Sequence, residues 1–229
     1  MNGLFITGTD TGVGKTWVTA ALVHALAGRG RHVAGLKPLA CGGHDSERGW
    51  RNEDAELLMR QGGVALPYEV VNPFLFPEPI APHIAADRTG LRLSAATLHE
   101  ACTGLEEPPE ALLIEGVGGW AVPLNDHETT AHFARLLGLP VILVVGMRLG
   151  CLSHALLTAE SIAHHKLRLA GWVANVIDPD MGALQENIAA LEQRLPAPSL
   201  GTIPYLHAFD AACIAAALDI ESVVEASGI

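Results

Sequence analysis

The feature that most constrains this chain is Gly8-Thr9-Asp10-Thr11-Gly12-Val13-Gly14-Lys15-Thr16, which follows the apolar run Leu4-Phe5-Ile6 and precedes a helical pattern. A strand that ends in glycines and passes through Gly-Lys-Thr into a helix supplies backbone N–H groups, a helix N-terminus and one lysine, all aimed at a single anion. The threonine hydroxyl is then placed to complete a Mg²⁺ site. The usual phosphate loop has four residues between its first glycine and the Gly-Lys-Thr. Here five residues separate Gly8 from Gly14, so the match lies in the second half of the loop.

Such a loop needs a sheet and helices around it, and 229 residues are enough for one α/β domain spanning 1–229 with a substantial core. Hydrophobic residues make up 49% against 17% charged, which argues for a well-buried globular chain rather than disorder. No apolar run reaches the ~18 residues of a membrane span, and the N-terminus lacks the basic-then-apolar signature of a signal peptide, so a cytoplasmic protein is expected. The formal charge of −11, with no Lys/Arg cluster, opposes binding to nucleic acid. Cys41, Cys102, Cys151 and Cys213 are widely separated and read as reduced thiols rather than as a zinc site or disulfide framework. The histidines likewise lack metal spacing: neither His99-Glu100 nor His127-Glu128 is followed by the second histidine of H-E-x-x-H.

Trp17 to Leu26 carries apolar residues at helical spacing and is stopped by Gly28-Arg29-Gly30. His32 to Leu36 reads as a buried strand, which gives a βαβ unit with the phosphate loop at its first crossover. Lys37 then stands at a strand's carboxyl end, where open α/β sheets place ligands. On position alone it is equally an anion-binding lysine or a solvated one before Pro38. A polar, glycine-containing stretch from Cys41 to Asn52 leads to a helix from Glu53, whose first-turn acids suit the helix dipole; Asp54 is also placed to help hold Mg²⁺. Five prolines between Pro67 and Pro82 exclude a regular helix or central strand and mark a long ordered excursion or lid. Ser94 caps a helix running to about Cys102.

Ala111-Leu112-Leu113-Ile114-Glu115, followed by Gly116-Val117-Gly118-Gly119, resembles a second nucleotide motif, in which an acid ending a buried strand faces the phosphate loop and engages Mg²⁺. Pro140 to Val145 is the clearest buried strand, and Gly146 to Gly150 turns it into a helix from near Ser153 to His164. Free N–H groups around Gly150 and Cys151 suit a carboxylate or water. Leu169 to Ala174 is a further strand ending at Asn175. Asn175-Val176-Ile177-Asp178 has Val where the guanine-reading motif has Lys, so GTP is not inferred. A helix from about Gly182 to Arg194, a closing segment Leu200 to Leu206 and an alanine-rich helix over 211–226 complete a mainly parallel sheet with helices on both faces.

Taken in order, these segments resemble one family, the dethiobiotin synthetases, ATP-dependent P-loop enzymes that close the ureido ring in biotin synthesis. The carriers are the loop itself, Gly35-Leu36-Lys37-Pro38, Val71-Asn72-Pro73, Pro82-His83, Ile114 to Trp120, Val144-Val145-Gly146, Leu149-Gly150-Cys151, Ala170 to Asn175 and Gly201-Thr202-Ile203-Pro204. The resemblance implies diaminopelargonic acid, CO₂ and ATP as substrates, Mg²⁺ as cofactor and a homodimer. It makes Lys37 and Lys15 the catalytic lysines, Lys37 on the carbamate and transferring phosphoryl group and Lys15 on the phosphates, with Thr16, Asp54 and Glu115 around Mg²⁺. It assigns ATP to Gly12, Val13, Gly14, Lys15, Thr16 and Trp17, to Asp54, and to Glu115, Gly116, Val117 and Gly118. Asn175, Val176, Pro204, Tyr205 and Leu206 complete the nucleotide side. Thr11, Lys37 and Cys41 fall to the diamine, and the Gly150-Cys151 helix start to its carboxylate across the dimer.

Three positions depart from the family's pattern. Gly12 stands where relatives often carry glutamate, Cys41 where a serine is familiar, and Ala211 lacks the side-chain acceptor that some members offer the ribose. A partitioning ATPase of the same superfamily would carry an additional lysine early in the loop, and Thr9-Asp10-Thr11 has none. A glutamine-dependent amidoligase would need a further domain, for which the chain is too short.

Overall fold

The computed structural model describes residues 1–228. Strand β1 (Gly3–Gly8) leads through the phosphate loop into α1 (Lys15–Gly28), which starts two residues before the expected Trp17. Leu4 and Ile6 pack on one side of the sheet and Phe5 on the other, the alternation of a strand buried on both faces. After α1, β2 (Val33–Leu36) is buried throughout and delivers Lys37 at its carboxyl end.

The polar stretch that follows holds more structure than its composition suggests. β3 (Leu39–Cys41) is succeeded by an antiparallel hairpin of β4 (His44–Ser46) and β5 (Gly49–Arg51). Asn52 then caps α2 (Glu53–Gln61), its side chain accepting from the Ala55 N–H. The proline-rich excursion contains only short elements: α3 (Tyr68–Val71) and β6 (Phe74–Phe76), which pairs parallel with β3 outside the main sheet. Its Val71 and Phe76 are buried in the core, which ties the segment down. The next helix, α4 (Pro82–Thr89), uses Pro82 in its first turn, where a missing N–H costs nothing.

The second half alternates strand and helix: α5 (Ala95–Thr103), β7 (Ala111–Glu115), α6 (Thr130–Leu137), β8 (Val141–Met147), α7 (Cys151–His164), β9 (Leu169–Val176), α8 (Leu184–Arg194) and β10 (Ser199–Ile203). Ala131, Phe133, Ala134 and Leu137 at helical spacing, with Gly138 behind them, are the sequence signal for α6, an element not among those expected; its capping box uses His132 where Glu or Gln is usual, the Thr129 N–H donating to the ring at 3.0 Å. The single helix expected over 211–226 is two, α9 (Ala211–Ala216) and α10 (Ile220–Ser227). Asp219 breaks the run: its side chain caps α10 and its N–H donates to the Leu200 carbonyl at 2.7 Å.

The six-stranded sheet has the order β10-β9-β8-β1-β7-β2 with every neighbouring pair parallel. α1, α9 and α10 cover one face, while α5 and α6, and beside them α7 and α8, cover the other. Among the described residues, no helix is long and apolar enough to cross a membrane. This topology brings the carboxyl ends of β1, β2, β7 and β9 to one edge, so the phosphate loop, Lys37, Glu115 and Asn175 meet there.

Edge strand β10 is fastened by a close backbone approach. Gly201, at φ +135°, bridges to Leu218, and a Cβ there would lie 2.0 Å from the Ala217 carbonyl oxygen. Gly201→Ala is therefore expected to cost about 2 kcal/mol or more in denaturant unfolding. Gly182→Ala, whose Cβ meets nothing within 4 Å, should stay within about 0.5 kcal/mol of the parent. Equal effects would contradict this account of the edge.

Candidate active site

The phosphate loop is shaped by two left-handed glycines, Gly12 at φ 73° and Gly14 at φ 90°. Gly14 has a second reason to lack a side chain: a Cβ there would lie 2.1 Å from Nδ2 of Asn175. That amide, buried at the end of β9, donates to the Val13 carbonyl at 2.8 Å and pins the loop from the sheet side. Thr16 and Lys15 open α1, whose first-turn N–H groups point toward the sheet edge as an anion cradle.

Beside the cradle sits a cluster of charge. Lys37 is 4% exposed, which excludes the solvated alternative for it. Its Nζ lies 2.5 Å from Glu115 Oε1 and 2.9 Å from Asp54 Oδ2, and donates to the Gly116 carbonyl at 3.3 Å. Thr16 Oγ1 donates to the same Glu115 oxygen at 2.8 Å. One ammonium thus serves two carboxylates. Burial by itself would lower the Lys37 pKa, but Glu115 and Asp54 outweigh it and hold the ammonium above its usual range. For Asp54, burial is outweighed by Lys37, which keeps its carboxyl low. Complete burial pushes the Glu115 carboxyl up against the pull of Lys37. Burial, followed by repulsion from Lys37, lowers Lys15 to about 8, while its Nζ donates to the Asp10 carbonyl at 3.0 Å.

These groups line a cleft of about 500 Å³. Thr11, Gly12, Gly14, Lys15, Thr16 and Trp17 form its loop side, and Lys37, Cys41, Asp54, Glu115, Val117 and Gly118 its charged floor and wall. Asn175, Val176, Tyr205 and Leu206 close the far end. Five expected residues do not line it. The Val13 side chain is fully buried beneath the loop, Gly116 offers its carbonyl to Lys37, and Pro204 faces solvent. Gly150 and Cys151 lie outside this cleft, with the Cys151 side chain in the core against α8. Ala40, Asn52 and Ile177 line it without having been singled out. Asn52 carried a readable signal, since an Asn before Glu-Asp-Ala is an N-cap pattern. The ion pair between Asp10 and Arg148, which ties the loop to the start of α7, had none.

A family model described as an AAA domain matches residues 2–212. An ATP-dependent dethiobiotin synthetase BioD of Pseudomonas aeruginosa is 51% identical over 96% of this chain and 97% of its own. The protein of the same name from Nitrosospira multiformis is 49% identical over 96% of each chain. The chain belongs to the dethiobiotin synthetase family. Its fold is shared more widely. The cell division ATPase MinD of Pyrococcus furiosus superposes with a TM-score of 0.60 at 18% identity, covering 98% of this chain and 99% of its own. Chloroplast FtsY of Physcomitrella patens gives 0.58 at 19% identity, covering 98% of this chain and 64% of its own.

Within this dethiobiotin synthetase framework, Gly12 leaves open space where a side chain would project. Burial raises the Cys41 thiol to about 11, so it faces the cleft as a neutral group. Asp210 is engaged in capping α9, accepting from the Cys213 N–H at 2.9 Å. The donor set at the floor suits a hard divalent cation: a threonine hydroxyl, Asp54, and the buried Glu115 Oε2, which has no hydrogen-bond partner. Among the described residues no group of three or more His, Cys, Asp or Glu is placed to hold a metal. Two carboxylates and a hydroxyl match a Mg²⁺ shell that substrate phosphates and water complete.

Because the Lys15 pKa lies near 8, the free protein loses this proton as pH rises through that value, and a phosphate bound beside Lys15 would restore it. Nucleotide affinity should therefore fall above pH ~8 with proton uptake on binding. Calorimetric titrations in buffers of different ionisation heat measure that uptake directly. Proton-neutral binding at pH ~9 would contradict the assignment of Lys15 to the phosphates.

Proposed function

We propose that this chain converts 7,8-diaminopelargonic acid, CO₂ and ATP to dethiobiotin, ADP and phosphate. The observation that carries the reading is the shared cleft, in which a phosphate loop lies beside a buried ammonium held by two carboxylates. One amine of the diamine attacks CO₂, forming a C–N bond and a carbamate as one amine proton passes to solvent. A carbamate oxygen then attacks the γ-phosphorus of ATP, ADP leaves, and a carbamic–phosphoric anhydride forms. The second amine attacks the anhydride carbon; the new C–N bond closes the ring, the C–O bond to phosphate breaks, and the amine proton passes to solvent.

In every step the developing negative charge falls on oxygen, so the protein's task is positioning and charge neutralisation rather than covalent catalysis. Lys15 and the α1 N-terminus receive the phosphates. Lys37 faces the carbamate and the phosphoryl group in transfer. Thr16, Asp54 and Glu115 would hold Mg²⁺, which would supply charge neutralisation for the phosphates. Trp17, Asn175, Val176, Pro204, Tyr205 and Leu206 flank the nucleoside, with Gly116 to Gly118 beside the phosphates. Thr11 and Cys41 face the diamine.

The Gly150-Cys151 helix start receives the diamine carboxylate of a second subunit, in a homodimer. In support, Leu149 beside it is 97% exposed and Leu157, two turns along α7, is 61% exposed, an apolar face suited to a second copy. The four free cysteines support a cytoplasmic setting, and the net charge of −11 supports small-molecule rather than nucleic-acid partners.

Phosphate release from ATP should require the diamine, CO₂ or bicarbonate, and Mg²⁺ together, with omission of any one reducing it to background in a coupled phosphate assay. Equal turnover without the diamine would sink the synthetase reading.

A further inference from the structure

Tyr68 has no part in the cleft's charged centre, yet it joins the two backbone points that aim that centre. The Asn52 N–H donates to the Tyr68 hydroxyl at 2.8 Å, the hydroxyl donates to Asn72 Oδ1 at 3.0 Å, and Asn72 Nδ2 donates to the Lys37 carbonyl at 2.6 Å. At one end is Lys37 itself. At the other is the cap of α2, whose first turn carries Asp54. Asn52 acts there as a fixed unit: its Oδ1 accepts from the Ala55 N–H and its Nδ2 donates to the Gly42 carbonyl at 2.9 Å.

The relay has little freedom. Asn72 is 4% exposed and Asn52 9%, so a missing partner leaves a buried polar group unpaired. Tyr68 is held in turn by the Arg51 guanidinium, 3.9 Å above its ring centre, and by the Asn72 N–H on its carbonyl at 2.7 Å. Lys37 also donates its own N–H to the Val71 carbonyl at 2.9 Å, so the same short helix addresses the lysine backbone twice.

We propose that Tyr68 is a positioning residue whose hydroxyl fixes the separation of Lys37 and Asp54, and so the placement of the Lys37 ammonium toward the phosphoryl group in transfer. The inference rests on the roles given above to Lys37 and Asp54. A tyrosine that merely held the excursion in place would affect stability, and would lower turnover equally whether or not the lysine were present.

Tyr68→Phe keeps the ring and its stacking and deletes one oxygen; Asn72→Ala breaks the same relay one bond later and serves as the second variant. Each is paired with Lys37→Ala in a double-mutant cycle read as kcat and KM for ATP, with thermal unfolding as the check on folding. The expected result is a kcat loss of about 10-fold or more for Tyr68→Phe, with KM changed by less than about 3-fold, because small misplacements of reacting groups are costly. In the Lys37→Ala background the same substitution should change kcat by less than about 2-fold. An unchanged kcat in Tyr68→Phe, or a loss that multiplies fully with that of Lys37→Ala, overturns the positioning role. Full turnover in Lys37→Ala alone overturns the reading of the site, and this inference with it.

Discussion

The ammonium of Lys37, buried between Glu115 and Asp54, is the interaction around which the site is arranged. Taking the Lys37 ammonium and the Glu115 carboxylate out of water is expensive, and their attraction, aided by the half-exposed Asp54, offsets that cost only when geometry is close and the remaining lone pairs are met. Here they are met incompletely. Glu115 Oε1 accepts from both Lys37 and Thr16, while its Oε2 is buried without a partner. Such a centre is poorly matched to stability alone and well matched to receiving a further cation together with an anionic substrate.

The fold's contribution is convergence. In a parallel sheet all carboxyl ends lie on one edge, so β1, β2, β7 and β9 place the loop, Lys37, Glu115 and Asn175 side by side although they are far apart in sequence. Helix α2 brings Asp54 to the same edge from outside the sheet, with its orientation set by the Asn52 cap. Asn175 donates to the Val13 carbonyl from the sheet side of the loop, so β9 supports the phosphate loop as well as lining the far end. The stretch from Pro67 to Pro82 reads in the sequence as a long ordered excursion or lid; physically it backs the Lys37 turn, through Val71 and Asn72.

Much of this was legible because it is local. The Gly-Lys-Thr entry into α1, the apolar run ending in Glu115 and the short buried strands each carry their signal within a few residues. What stayed hidden is what depends on distant neighbours. Lys37 before a proline reads equally as solvated or as anion-binding, and only the approach of Asp54 and Glu115 settles its burial. Ala211 to Ala226 carries helix formers throughout, and the break at Asp219 appears only once β10 offers the Leu200 carbonyl. The hairpin at 44–51 is polar on its exposed side and lacks the apolar alternation that marks a strand. The role of Tyr68 is invisible in sequence, since its partners Asn52 and Asn72 flank it at unequal distances and meet only in the folded chain.

We propose a divalent-cation site at Asp54 and Glu115, which Lys37 adjoins. Its most direct test is Mn²⁺ binding followed by electron paramagnetic resonance in the presence of a non-hydrolysable ATP analogue, comparing the parent with Asp54→Asn and Glu115→Gln. One tight Mn²⁺ per active site is expected in the parent, with an affinity loss of about 10-fold or more in each variant, the scale set by removing one charged ligand from such a shell. Unchanged Mn²⁺ affinity in both variants, with the analogue still bound, would contradict it.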